Sequence, residues 1–188
     1  MTDGAELQRW LLLIYRVPQD PASRRTYVWR QLRQLGAHYL QQAAAILPDR
    51  DGMRSSLETL SQKIREFGGE VSLLTTVSPD LAWQQETRER FNQARDAEYS
   101  EIVENVERFE DEVRRERTKG RFTFAQLEDI EADWEKVQRW YERIRARDFF
   151  NALGRRDADD ALIRGQAELE TFTAEVSTHE AAETQADG

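Results

Sequence analysis

The run Arg9-Trp-Leu-Leu-Leu-Ile-Tyr-Arg-Val-Pro18, followed by Pro21-Ala-Ser-Arg-Arg-Thr-Tyr-Val-Trp-Arg-Gln-Leu-Arg-Gln-Leu-Gly36, decides the architecture. The first segment is a short apolar stretch bounded by charge and proline, the pattern of a buried strand. The second places Val28, Leu32 and Leu35 at helical spacing and leaves Arg24, Arg25, Arg30 and Arg33 over. Gly36 follows as the stop. A strand leading directly into an amphipathic helix opens an α+β arrangement.

Working outward, Ala37 to Pro48 reads as two short strands turning near Gln41-Gln42. Pro48-Asp-Arg-Asp-Gly52 breaks the pattern. A second amphipathic helix then presents Leu57, Leu60, Ile64 and Phe67 on one face and stops at Gly68-Gly69. Val71 to Val77 is a strand by β-propensity. The order β-α-β-β-α-β predicts a ferredoxin-like domain over residues 1–78, with two helices on one face of a four-stranded antiparallel sheet. Beyond Ser78-Pro79-Asp80 the character changes. Tyr99, Ile102, Val106, Phe109 and Val113 alternate by 3 and 4, as do Leu127, Ile130, Trp134, Val137, Tyr141 and Ile144. Two such seams around Thr118 to Phe124 predict a long antiparallel helical hairpin over residues 79–176. Gly154 reads as the break before a short third helix using Ala161, Leu162, Leu169 and Phe172. Residues 177–188 read as a disordered tail.

Composition narrows the function. With 188 residues, no cysteine and 34% charged residues, the chain offers no disulfide, thiolate metal site or cysteine nucleophile. Its mean hydropathy is -0.80, and its longest apolar run, Trp10 to Tyr15, is far too short to cross a bilayer. The N-terminus, with Asp3 and Glu6, lacks the basic start of a signal peptide, so a cytoplasmic location is expected. The net charge of -9 is uneven. Residues 1–75 hold 10 Lys+Arg against 8 Asp+Glu, and the remainder 17 against 28, so a nucleic-acid surface belongs to the front.

The marks along the chain resemble a known family, the N-terminal domain of the bacterial chromate-resistance regulator ChrB. They are Trp10 to Pro18, Ser23-Arg24 through Val28-Trp29-Arg30, Leu35-Gly36-Ala37, Leu47-Pro48, Glu98-Tyr99, Lys119-Gly-Arg-Phe-Thr-Phe124 and Arg145-Ala-Arg-Asp-Phe-Phe150. No single motif is diagnostic; their order and spacing carry the likeness. The resemblance implies a ferredoxin-like domain with a helical extension and a role in chromate-responsive transcription, with chromate as inducer. The full regulators carry a second, C-terminal domain, so the expectation is a stand-alone relative lacking it.

Two arginine groups are the candidate sites. Arg16, Arg24, Arg25, Arg30 and Arg33 suit DNA phosphates, because guanidinium is planar, always charged and bidentate. The alternative is a solvated face paired to Asp20 or Glu66. Arg143, Arg145 and Arg147 beside Phe149 and Phe150 suit an oxyanion such as chromate, or else cap the hairpin with Asp148 paired to an arginine. Tyr27, Trp29 and Tyr39 could stack on bases, but the expectation is packing in the core or on the sheet. Lys119 and Arg121 are expected in solvent, and Glu98, Glu101 and Glu104 on a solvated acidic face. A metal-dependent nuclease needs carboxylates at the end of the first strand, which reads Tyr15-Arg16 with the next carboxylate at Asp20. His38 reads as structural and His179 falls in the tail. Serine-hydrolase, P-loop and dinucleotide signatures are absent, so no enzyme and no cofactor are expected. The reading is a DNA-associated regulator, a possible homodimer; the alternative is a protein-interaction or scaffold module without DNA contact.

Overall fold

A computed structural model describes residues 7–186. The elements are β1 (Arg9–Arg16), α1 (Ala22–Gln34), β2 (His38–Gln41), β3 (Ala44–Pro48), α2 (Met53–Glu66), β4 (Glu70–Val77), α3 (Leu81–Thr118), α4 (Phe124–Arg145) and α5 (Arg155–Ala186). The protein is mixed and mostly helical. It divides into two compact units, Met1–Phe91 and Asn92–Gly188.

In the first unit the four strands form one antiparallel sheet in the order β2-β3-β1-β4. Side chains alternate across it. Leu11 and Leu13 are fully buried on the face that carries α1 and α2, and Arg54 of α2 donates to the Thr75 hydroxyl on that face at 2.8 Å. Val28, Leu32, Leu57 and Ile64 complete this core, each contributing about 1.5–3 kcal/mol by leaving water. The helix stops follow the expected chemistry. Gly36 takes φ +77°; its N–H donates to Arg33 O and that of Ala37 to Leu32 O, the pair of bonds that closes a helix through a left-handed residue. Gly120 ends α3 in the same way, with φ +66°.

The first turns of α3 belong to this unit, so its boundary lies at Phe91 and not at the expected 78. Asp80 Oδ1 accepts from the Ala82 and Trp83 N–H groups at 3.0 and 3.1 Å, which starts the helix. Trp83 then packs edge-on to Trp10, and Phe91 stacks on it, both with centroids 5.9 Å apart. Trp10 points to the sheet face opposite Leu11, so α3 covers part of that second face.

The second unit is built from the rest of α3, α4 and α5. Both expected seams are its core: Tyr99, Ile102, Val106, Phe109 and Val113 face Leu127, Ile130, Trp134, Tyr141 and Ile144. The third helix is not short. It spans 32 residues and adds Ala158, Ala161, Leu169, Phe172 and Val176 to the core. Nor is the segment beyond Val176 a tail up to Ala186, because α5 continues through it. His179 stacks on Phe122 with planes 3° apart and centroids at 4.2 Å, a contact made from the loop after α3. The last two residues of the expected tail, 187–188, and Asp3 and Glu6 at the start lie outside the described residues. Helix α4 ends at Arg145, nine residues before Gly154, where the terminal basic pair Arg143 and Arg145 suits the helix dipole.

Candidate nucleic-acid interface

Helix α1 sorts its arginines by angle. At 3.6 residues per turn, Arg25, Trp29 and Arg33 form one i, i+4, i+8 row, and Arg30 lies beside it. Val28 and Leu32 are buried, and the row runs from the rim of that buried stripe at Arg25 round to the outward side at Trp29 and Arg33. Trp29 is 46% exposed, not in the core as expected, and Arg33 lies over its ring at 5.3 Å from the centroid. Arg25 and Arg30 are exposed and make no ion pair among the described residues. The outward face of α1 is therefore cationic with an aromatic plate inside it.

The other two expected contacts are used elsewhere. Arg24 turns inward: its Nη1 donates to Phe67 O at 3.0 Å, and its guanidinium sits 5.6 Å from the Phe67 centroid. It ties α1 to the end of α2, where Tyr27 also meets Phe67 edge-on. Arg16 pairs with Glu70 at 2.5 Å, both exposed. As an even-numbered β1 residue it lies toward the second sheet face, away from α1. Tyr39 meets Tyr15 with hydroxyls 3.2 Å apart, and burial, reinforced by that bond, pushes its phenol pKa well up. Tyr39 is therefore neutral and structural.

The oxyanion candidates are not gathered into one cluster. Arg145 is exposed and pairs with Glu142 at 3.6 Å. Arg147 is largely buried, reaches Glu98 at 3.3 Å, and donates through Nε to Arg143 O at 2.9 Å. Glu98 also holds the buried Arg95 at 3.1 Å, so it leaves the solvated acidic face on which Glu101 and Glu104 remain. Burial lowers the Arg95 pKa, with the Glu98 charge opposing it. Asp148 accepts from Tyr99 Oη at 3.2 Å and from the Ala152 N–H at 2.9 Å. This is an ionic brace inside the second unit. Lys119 and Arg121, expected in solvent, both reach Glu116, at 2.6 and 3.7 Å. Arg145–Glu142, Arg95–Glu98 and Lys119–Glu116 lie at i, i+3 in the sequence, whereas Arg147–Glu98 joins charges 49 residues apart, which no local pattern shows.

A four-stranded antiparallel sheet backed by two helices, the outer face of one of them cationic, followed by a helical unit rich in acidic residues, defines an α+β domain with a helical extension. The chain belongs to the ChrB N-terminal family: the family model described as "Protein ChrB, N-terminal" matches residues 25–183. The match takes in Arg25, Arg30 and Arg33 and leaves Arg16 and Arg24 outside. Protein ChrB of Cupriavidus metallidurans is 34% identical to it over 92 residues, which is 49% of this chain and 28% of that protein. No solved structure matches the chain. No described helix is long and apolar enough to cross a membrane.

Proposed function

We propose that the chain is a non-enzymatic, DNA-associated regulator of chromate resistance that grips the phosphate backbone through the outer face of α1. The observation that carries the reading is the Arg25-Trp29-Arg33 row with Arg30 beside it, exposed, with no carboxylate partner at Arg25 or Arg30 among the described residues. Guanidinium groups interleaved with an exposed indole suit a nucleic-acid backbone, and the family membership supplies the setting. The strand order β2-β3-β1-β4, with β-α-β-β-α-β connectivity, supports a ferredoxin-like reading of the first unit. Chromate enters as inducer through the family. Glu142 and Glu98 hold Arg145 and Arg147, so an oxyanion must displace a carboxylate to reach either.

The test is binding to duplex DNA from upstream of the gene, followed by anisotropy across a salt series. The expected slope of log affinity against log salt falls by about one for each phosphate contact removed in Arg25→Ala, Arg30→Ala and Arg33→Ala. Arg24→Ala and Arg16→Ala leave it unchanged. Absence of binding at low salt by the folded chain overturns the reading. It then favours the interaction module, which has its own observation: a groove between α4 and α5 lined by Trp134, Tyr141, Leu162 and Ile163, with Ile163 69% exposed.

A further inference from the structure

The sheet face opposite α1 and α2 is only partly covered. One end is closed by Trp83 and Phe91 of α3 against Trp10, with His38 5.8 Å from the Phe91 ring. At the other end Ile14, Leu40 and Leu74 are 44%, 38% and 49% exposed. The register makes them one patch. Leu12 pairs with Leu74, and Ile14 with Ala44 on one side and Ser72 on the other. Leu40, at the β2 bulge, lines a cleft of 410 Å³ with Leu12, His38, Ala44, Trp83 and Arg90 between the patch and α3. Isolated exposed apolar side chains are ordinary, but a contiguous apolar patch marks a contact surface.

The charges around the patch decide what fits it. No charged side chain stands among Leu12, Ile14, Leu40, Ala44, Ser72 and Leu74. Among the described residues the rim carries charges of both signs in pairs, Arg16 with Glu70 and Arg90 with Glu86, each at 2.5 Å. A nucleic acid needs a net positive rim and an acidic or basic peptide needs a rim of one sign. A rim that is neutral by alternation complements itself when rotated about a two-fold axis, as an isologous contact requires. We propose that this face is the contact between two copies of the chain, sheet against sheet. The α1 row lies on the opposite side of the sheet and stays open, so a dimer presents two such rows. The dimer does not depend on whether those rows bind DNA.

The experiment is sedimentation equilibrium of the full chain without DNA over a hundredfold concentration range. The expected mass is twice the 22.0 kDa of the chain. Leu74→Glu raises the dissociation constant by roughly tenfold or more. Ser72→Arg does the same while removing no packed side chain, so it reads the interface even where Leu74→Glu disturbs the sheet. Ile163→Glu, at an exposed apolar position on α5, leaves the dimer intact. A 22.0 kDa species throughout overturns the proposal. So does a dimer that survives both sheet variants or is broken by Ile163→Glu. Binding of single-stranded nucleic acid by a monomer, lost in Leu74→Glu, assigns the face to another class of partner and also overturns it.

Discussion

Arg24 and Arg25 are adjacent in sequence and have opposite roles. One residue of helix turns the side chain by 100°, which sends Arg24 to the Phe67 carbonyl and Arg25 to solvent. The composition of the first turn says that arginines are present; only the position of the neighbouring helix says which is occupied. Glu116 is a similar case. It is 5% exposed, and the Lys119 bond, against burial and aided by the Lys119 and Arg121 charges, holds its carboxyl below the ordinary value of 4.5. A carboxyl depressed in the folded state binds protons more readily when unfolded. Its contribution is therefore complete above the ordinary glutamate range and is lost as pH falls through the lower folded value. Urea titrations of wild type and Glu116→Gln are expected to show a stability gap at pH 7 that closes in the acid range below 4.5. A gap independent of pH refutes the pairing.

Helix α5 shows what a sequence pattern conveys about an element and what it withholds. The strands β1 to β4, the helices α1 and α2, and the seams of α3 and α4 were legible because large apolar residues recur at period 2 or at spacings of 3 and 4. Along α5 the buried positions include Ala158 and Ala161, whose small side chains leave a faint apolar signal, and the helix carries Gly165. That glycine looks like a breaker and is a packing site. A Cβ there meets Trp134 ring carbons at 2.4 and 2.5 Å, while the Trp134 indole N–H donates to Gln166 Oε1 at 2.8 Å and fixes the ring. Gly165→Ala gains about 1 kcal/mol of helix propensity and pays overpacking of up to about 3 kcal/mol. A contact this short lies at the costly end, so a net loss of about 1–2 kcal/mol is expected in chemical denaturation. The end of α5 was read as a tail because its anchors, such as Phe122 against His179, come from 57 residues away. The same limit hid the candidate site. The five arginines were visible in the sequence, but their division into three exposed along α1, one inward and one on the far side of the sheet is a tertiary fact.

Across the whole molecule the charge follows the division into units. Up to Phe91 there are 12 Lys+Arg against 11 Asp+Glu, and from Asn92 onward 15 against 25. The excess of -9 is thus a property of the helical unit, and the unit with the sheet is close to neutral. On the proposed function, attraction to DNA is local, concentrated on α1, and readily screened by salt. The tryptophans give that local surface an optical address. Trp10 and Trp134 are buried at 0% and 2% exposure, Trp83 and Trp140 are partly buried, and Trp29 is 46% exposed. A collisional quencher such as acrylamide reaches Trp29 ahead of the other four. DNA laid along α1 is expected to lower the Stern–Volmer constant of the unlabelled chain, and Trp29→Phe to remove that change; full quenching of Trp29 in the complex places the DNA elsewhere. The indole that departs from the core thereby makes the chain its own fluorescent reporter.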